Sequence, residues 1–394
     1  MSNHYAAGAH NRYGPTAARP ERVGDLVKQS ASRTIDVHSH IFVPEAEEFV
    51  EPHLDSSKLP INRFVESLSA RINDDQGTDR HAQMTDIDVR LREMDAMGVD
   101  IHLAAAAPFQ SYYSIDPEIA RAAHRMTNEG IASFVAKRPD RFAGLGVVTL
   151  QEPEAAIIEL EDVMGSFGLK GVLLRTNVNG EELASKRFEP FFAKAEALRA
   201  LIMLHPSGFT GGERLQKYYL TNILGNPLET TVALCHLIMS GMLHRYPELK
   251  LLAVHGGGFL PAYWGRLDHA WGAREDAHAE LPLPPSHYLR KVYFDTLVHS
   301  QEQLDALIAC FGPDRIMMGS DYPSTWPTTI RSAMSTAWTA STMQRSPRWR
   351  EATRRSCSGS SVNPGAGLRP DFLVGLSRRA FDHLENSFAM TRGE

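Results

Sequence analysis

The sequence predicts an α/β protein built as a (β/α)8 barrel, and three observations carry that prediction. Eight apolar runs of strand length alternate with helical patterns from Thr34 to about Asp321. Four of those runs end on a histidine or an aspartate, a recurrence that packing alone explains poorly. No glycine-rich phosphate loop follows the first run, which turns the reading away from a doubly wound sheet. Strands buried on both faces, as in an all-parallel barrel, require near-continuous apolar runs of this kind.

The chain has 394 residues, 43% hydrophobic and 22% charged, which suits one large soluble domain with an ample core. A formal net charge of −6 leaves no electrostatic footprint for nucleic acid. A local metal and a few arginines could still recognise an anionic substrate. Residues 1–33, rich in Ala, Gly, Asn and Arg, contain neither the apolar centre of a signal peptide nor a membrane span, and read as a flexible leader. The three cysteines, Cys235, Cys310 and Cys357, are widely spaced. They offer no disulfide framework and no CxxC metal site, as expected for free thiols in the cytoplasm.

Strands are expected at 34–38, 100–105, 142–149, 171–175, 201–205, 251–255, 292–296 and 315–320. Helical patterns fall at 90–97, 116–137, 154–165, 188–198, 226–246, 258–271 and 301–311, the first of them stopped by Gly98 as a C-cap. Two stretches interrupt the alternation. Residues 44–86 form a long polar insertion after the first strand, and residues 205–224 contain the run Ser207-Gly208-Phe209-Thr210-Gly211-Gly212. Both follow strand C-termini, the face on which such barrels carry their sites, and the second reads as a loop able to close over one.

The chemistry lies at the strand ends. His38 and His40 close the first run, and residues two apart on a strand share a face, so the two imidazoles can aim at one point. His205 closes the fifth run, His255 the sixth and Asp321 the eighth. In a barrel all five converge at the C-terminal mouth. Imidazoles with one carboxylate suit Zn²⁺, and equally Mn²⁺, Fe²⁺ or Co²⁺. A catalytic site keeps a coordination position open, so one of the five is expected to stand outside the ligand set as a proton carrier. His4, His10, His53, His81, His124, His278 and His287 read as surface residues, and His236, His244 and His269 as residues of outer helices. His102, inside the second strand, is expected to face the helices.

With these residues in place, the chain resembles the second amidohydrolase family, in particular its decarboxylase group typified by aminocarboxymuconate-semialdehyde decarboxylase. The most specific match is the stretch from Val254 to Asp268, in which His255-Gly256-Gly257-Gly258 is followed by Pro261 and by Gly265-Arg266. IDVHSH (35–40), RLREMDAMGVD (90–100), RFAGLG (141–146), GNPLETT (225–231), RYPELK (245–250) and GSDYP (319–323) support it. The resemblance covers about residues 34–323. It implies that His38, His40, His205 and Asp321 bind one divalent metal, zinc first and manganese as the alternative. It implies that His255 activates the metal-bound water or donates a proton, with Asp321 also counted in the catalytic set.

The implied reaction is the non-oxidative decarboxylation of an aromatic or unsaturated carboxylate. A hydratase or hydrolase of a ring-cleavage product is the alternative. The implied partners are a small-molecule carboxylate and a second copy of the chain, in a homodimer or larger assembly, with no nucleic acid and no membrane. Arg63, Arg71, Arg80 and Arg175 are candidates to hold the carboxylate. Arg175 is favoured because it closes the fourth strand, and Arg80 is kept as the second choice. One departure from the family concerns the residue after the His-Pro of strand five. The family has an aromatic there, whereas here His205-Pro206 is followed by Ser207-Gly208, which points to a different substrate.

After Pro323 the sequence turns rich in Ser, Thr, Arg and Trp and loses helical periodicity. The run Ser324-Thr325-Trp326-Pro327-Thr328-Thr329 can be back-translated so that restoring one base reads Phe-Asp-Met-Ala-Asp-Tyr, as the family would have there. A frameshift from Ser324 onward is therefore expected. It leaves a leader over 1–33, a barrel over 34–323 and an atypical, poorly ordered tail over 324–394. In the extreme, the product would be an inactive remnant with a disrupted barrel.

Overall fold

Each expected apolar run becomes a strand in the computed structural model, which describes residues 33–279 and 281–324. The strands are β1 (Ile35–Ile41), β2 (Ile101–Ala106), β3 (Phe142–Leu145), β4 (Gly171–Leu174), β5 (Leu201–Leu204), β6 (Lys250–Ala253), β7 (Tyr293–Asp295) and β8 (Ile316–Met317). Sequential neighbours pair in parallel. Two single bridges complete the ring, Gly146 with Val172 between β3 and β4, and Ser39 with Tyr322 between β1 and the segment after β8. At that last seam Val37 N donates to Met318 O (2.9 Å) and His40 N to Tyr322 O (2.7 Å). Closure leaves no barrel strand with a free edge among the described residues. A short antiparallel hairpin, Asn177–Val178 with Glu181–Glu182, follows β4.

Alternation along the strands sorts side chains into two cores. Ile101, Leu103, Ala105, Leu145, Leu173, Leu201, Met203, Leu252, Val254 and Met317, with Ile35 and Val37, fill the barrel interior. The intervening residues, such as Ala104, Val172, Ile202, Leu251 and Phe294, pack outward against the helices. The interior is thus a plugged floor beneath the mouth rather than a pore.

The first strand departs from regular pairing at one point. Asp36 pairs with His102 and Ser39 with Ala104, so Val37 and His38 together stand opposite Leu103 alone. This is a β-bulge, and it switches the inward phase from odd to even residues. Ile35 and Val37 therefore reach the apolar plug, while His38 and His40 also point inward, above it. The bulge leaves the His38 amide without a strand partner, and the Asp36 side chain takes it at 3.0 Å.

Local sequence explains the helix ends. Asp86 caps Ile87–Met97 by accepting from Asp88 N and Val89 N, and Gly98 stops it at φ 73°. Asp116 caps Pro117–Lys137 in the same way. The single helix expected over 226–246 is instead two, Asn226–Met239 and Met242–Arg245, because Gly241 adopts φ 76° between them. The polar stretch after β1 is largely helical, with Pro44–Val50, Pro60–Arg63, Ser67–Asp79 and His81–Thr85 preceding the helix that leads to β2.

The expected surface position of His124 fails as well. His124 is fully buried, not on the surface: its helix turns it inward, where Tyr112 N donates to Nε2 and Nδ1 lies 2.9 Å from Thr149 Oγ1. His102 does face outward from the barrel, as expected. The leader up to residue 32 with His4 and His10, Cys357, and all but the first residue of the frameshift expected from Ser324 onward lie outside the described residues.

Candidate metal centre and active site

Four groups meet at the C-terminal mouth. His38 and His40 come from the bulged end of β1, His205 follows β5 and Asp321 lies beyond β8, and their ligating atoms all fall within 4.8 Å of one another. His38 Nε2 lies 3.2 Å from His40 Nε2, and Asp321 Oδ1 lies 3.4 Å from the first and 3.2 Å from the second. All four residues are buried.

The opposite ring nitrogen of each imidazole is already engaged. His38 Nδ1 faces Asp295 Oδ2 at 2.7 Å, His40 Nδ1 faces Ala106 O at 3.1 Å and His205 Nδ1 faces Pro206 O at 2.7 Å. Such partners fix the tautomer and leave Nε2 as the lone-pair nitrogen. Two lone pairs at 3.2 Å with a carboxylate oxygen beside them repel one another unless a cation lies between them. His205 Nε2 is buried with no hydrogen-bond partner among the described residues. Three nitrogens and one carboxylate oxygen, with the unmatched atoms turned inward, fit a divalent metal.

Electrostatics agrees. Burial and the neighbouring His40 and His38 rings hold His205 well below the usual imidazole range, which keeps it neutral. Burial would also lower His38, but the Asp321 and Asp295 carboxylates outweigh it and raise that ring. Burial would raise Asp321, yet the His38 and His40 rings depress it far below the ordinary carboxylate range. Ser324 Oγ donates to Asp321 Oδ2 at 2.7 Å, which leaves Oδ1 turned to the imidazoles.

His255 stands beside this cluster rather than in it. Its ring centroid lies 5.4 Å from that of His38 and 5.3 Å from that of His205. Burial and the His38 ring lower its pKa to about 4, and Nδ1 has no partner among the described residues. Its placement depends on a left-handed turn: His255, Gly256, Gly257 and Gly258 all have positive φ, at 55°, 62°, 79° and 68°. A Cβ on Gly256 would strike Val298, and one on Gly258 would strike the Pro227 carbonyl. Glycine is therefore required at both. The turn also lets Gly256 N donate to Asp295 Oδ1 at 2.8 Å.

Asp295 is the functional residue that sequence reasoning missed. Fully buried at the end of β7, it holds His38 with one oxygen and accepts from Gly256 N and Leu297 N with the other. The rule that found the other residues, an acid or histidine closing an apolar run, also applies to it.

The mouth opens into a cavity of about 1140 Å³ bounded by His40, His205, His255 and Asp321 at its base. Its walls are mostly apolar, with Phe109, Phe259, Leu297 and Val298 among them, and one side is the helix Ser67–Asp79, which contributes Asn73, Gln76 and Gly77. The two favoured arginines separate. Arg80, the C-cap of that helix, lines the cavity, and its guanidinium donates to Gln76 Oε1 at 3.2 Å. Arg175 faces inward from the end of β4, but it is buried beside Tyr113 and Ser207 and is not among the cavity residues. Neither Arg63 nor Arg71 lines the cavity.

A family model described as amidohydrolase matches residues 35–353, and the chain belongs to that family. It is 36% identical over 239 residues to 2-amino-3-carboxymuconate-6-semialdehyde decarboxylase of Dictyostelium discoideum, covering 60% of this chain and 67% of that protein. The structure of 5-carboxyvanillate decarboxylase from Sphingomonas paucimobilis superimposes with a TM-score of 0.71 at 25% identity, covering 89% of this chain and 99% of that one. A dihydroxybenzoic acid decarboxylase from Polaromonas, solved with bound manganese and 2-nitroresorcinol, shares the fold at TM-score 0.65 and 22% identity, over 83% of this chain and 96% of that one.

Proposed function

We propose that this protein is a metal-dependent decarboxylase that removes CO₂ without oxidation from an aromatic or unsaturated carboxylate. The observation that carries the proposal is the pairing of a four-residue ligand cluster with a separate, buried and neutral His255, all opening into one largely apolar cavity. His38, His40, His205 and Asp321 would hold the metal. When bound, the metal is a Lewis acid that orients the substrate's oxygens.

The chain's own residues supply the rest. The apolar walls exclude water and suit a planar ring, and Arg80 offers a guanidinium to the carboxylate or another oxygen of the substrate. Arg175, one layer behind, supports the loop through the Ser207 carbonyl. His255, neutral at rest, takes up a proton from water or from an acidic group of the substrate and passes it to the carbon that bears the carboxylate, so that it ends the step neutral again. The C–C bond then breaks, its electron pair returns to the ring or diene, and CO₂ leaves. The reaction balances as one carboxylate and one proton giving one C–H bond and one CO₂.

Zinc is the first choice of metal, and the manganese bound in the Polaromonas relative supports manganese as the other. Ser207 in place of an aromatic residue beside His205-Pro206 supports a substrate other than aminocarboxymuconate semialdehyde. We also hold to an assembly of at least two copies, a cytoplasmic location, and a change of reading frame after Pro323 that resequencing of the gene across that codon would reveal.

The test is CO₂ release by zinc- or manganese-loaded protein over a panel of hydroxybenzoates and muconate-type acids. CO₂ that vanishes in His255→Ala supports both the reaction and the proton carrier. Folded, fully loaded protein that releases no CO₂ overturns the proposal, and water addition to an unsaturated acid in the same panel would establish the hydratase instead.

A further inference from the structure

The barrel closes between its first and last strands, and the metal cluster straddles that seam, with His38 and His40 on one side and Asp321 on the other. Behind the cluster, on the outer face of β1, lies a carboxylate that has no part in the chemistry described above. Asp36 is fully buried. Its Oδ1 accepts from two backbone amides at once, His38 N at 3.0 Å and Ser320 N at 3.1 Å. Its Oδ2 accepts from the Ser320 hydroxyl, and His102 Nε2 stands 3.5 Å away. The two amides belong to a metal-cluster residue on β1 and to the residue immediately before Asp321.

From this geometry we infer that Asp36, acting with Ser320, is a positioning residue that sets the spacing of His38 and Asp321 across the barrel seam. The reason is topological. The bulge at Val37 and His38 puts the two sides of the seam out of step, because Val37 N reaches Met318 O whereas His40 N reaches Tyr322 O. Between those two bonds a regular ladder cannot continue. A side-chain carboxylate spans the gap, gathers both amides and fixes their separation. A buried carboxylate is costly unless its lone pairs are met, and here three donors meet them.

The buried Arg90 reinforces the same backing. Its guanidinium donates to His40 O and lies over the Tyr322 ring at 4.8 Å, so the backbone on both flanks of the cluster is held from outside the barrel. Sequence placed Asp36 inside the first strand without assigning it any role.

The inference rests on the metal reading of the cluster, and the test separates the two. Wild type, Asp36→Asn and Ser320→Ala are prepared as apoprotein. Zinc and manganese dissociation constants are measured by chelator competition, and melting temperatures are recorded with and without metal. Asp36→Asn keeps shape but turns an NH₂ group toward donors, so metal affinity should fall about 10–100-fold, the usual effect of losing a partner of a ligand. The rise in melting temperature on adding metal should shrink with it. Ser320→Ala, which keeps its amide, should show the same changes to a smaller degree and carries the test if Asp36→Asn does not fold. Equal losses of melting temperature in apo and loaded protein, with metal affinity unchanged, would overturn the positioning role and leave a purely structural one. A wild type that takes up no metal would overturn the metal reading itself.

Discussion

Asp295 reaches His38 from two strands away, its Oδ2 meeting Nδ1 at 2.7 Å while its Oδ1 takes the Gly256 amide. One carboxylate therefore orients a residue of the ligand cluster and anchors the turn that carries His255. On the proposed roles of His38 and His255, metal binding and proton delivery would be coupled through this one side chain.

That coupling predicts a double effect. Asp295→Asn cannot both accept from His38 and serve Gly256 with full charge. Metal affinity should drop about 10–100-fold, measured by chelator competition. Turnover of protein kept saturated with metal should fall as well, because His255 loses its anchor. Unchanged turnover at saturation would show that the turn holds without Asp295.

Removing His255 should separate the two proposed functions instead. His255→Ala should keep its full metal content by elemental analysis while CO₂ release falls about 10²–10⁴-fold, the range expected for a general acid–base group. A variant that loses metal in parallel would place His255 among the ligands.

Gly77 offers a test of the cavity that touches no chemical group. It lies within the helix Ser67–Asp79, lines the cavity, and a Cβ built on it meets nothing within 4 Å. Gly77→Ala should stabilise the protein by about 0.5–1 kcal/mol through helix propensity, read as a higher melting temperature. Gly77→Leu should intrude on the cavity and raise KM for bulky substrates more than for small ones. Equal KM values across the panel would place the substrate elsewhere.

Glu159 should give the stability curve a pH signature. Its carboxyl accepts from Thr149 N at 2.5 Å and from Thr149 Oγ1 at 2.9 Å, and burial raises its pKa from 4.5 to about 7. A carboxyl raised on folding binds its proton more tightly in the folded state. Its stabilising contribution is therefore complete below pH 4.5 and is lost as pH climbs through about 7. In Glu159→Gln the melting temperature should fall less between pH 5 and pH 8 than in wild type. Parallel curves would show that the carboxyl titrates normally.

Much of this architecture is legible in the sequence because buried parallel strands advertise themselves as apolar runs, and because residues at their C-terminal ends share one mouth. His205 and Asp321 were readable on that basis alone. His38 and His40 were readable only in part: in a regular strand with Ile35 and Val37 inward they would point away from the barrel, and no residue type marks the bulge that turns them. The polar neighbours of His124 point to the surface, where it does not lie. The spacing of Ala120, Ala123, Thr127 and Ile131 puts it on the buried stripe of its helix, which is the stronger signal. Strand position alone favours Arg175 over Arg80. It could not include the helix after β1, whose end carries Arg80 into the cavity wall.

The extra residue in β1 means that this site is specified by counting as well as by chemistry. Deleting Val37 would leave every histidine and aspartate in place and the HxH spacing intact, so a motif scan would still score the chain as complete. The remaining strand would pair with β2 in step, with His38 opposite Leu103 and His40 opposite Ala105, so both imidazoles would still face inward, but Asp36 would lose the free His38 amide that it now gathers together with that of Ser320. Related chains one residue shorter at this point should therefore keep the inward pair of histidines without a bulge, and with no need of the carboxylate that spans it.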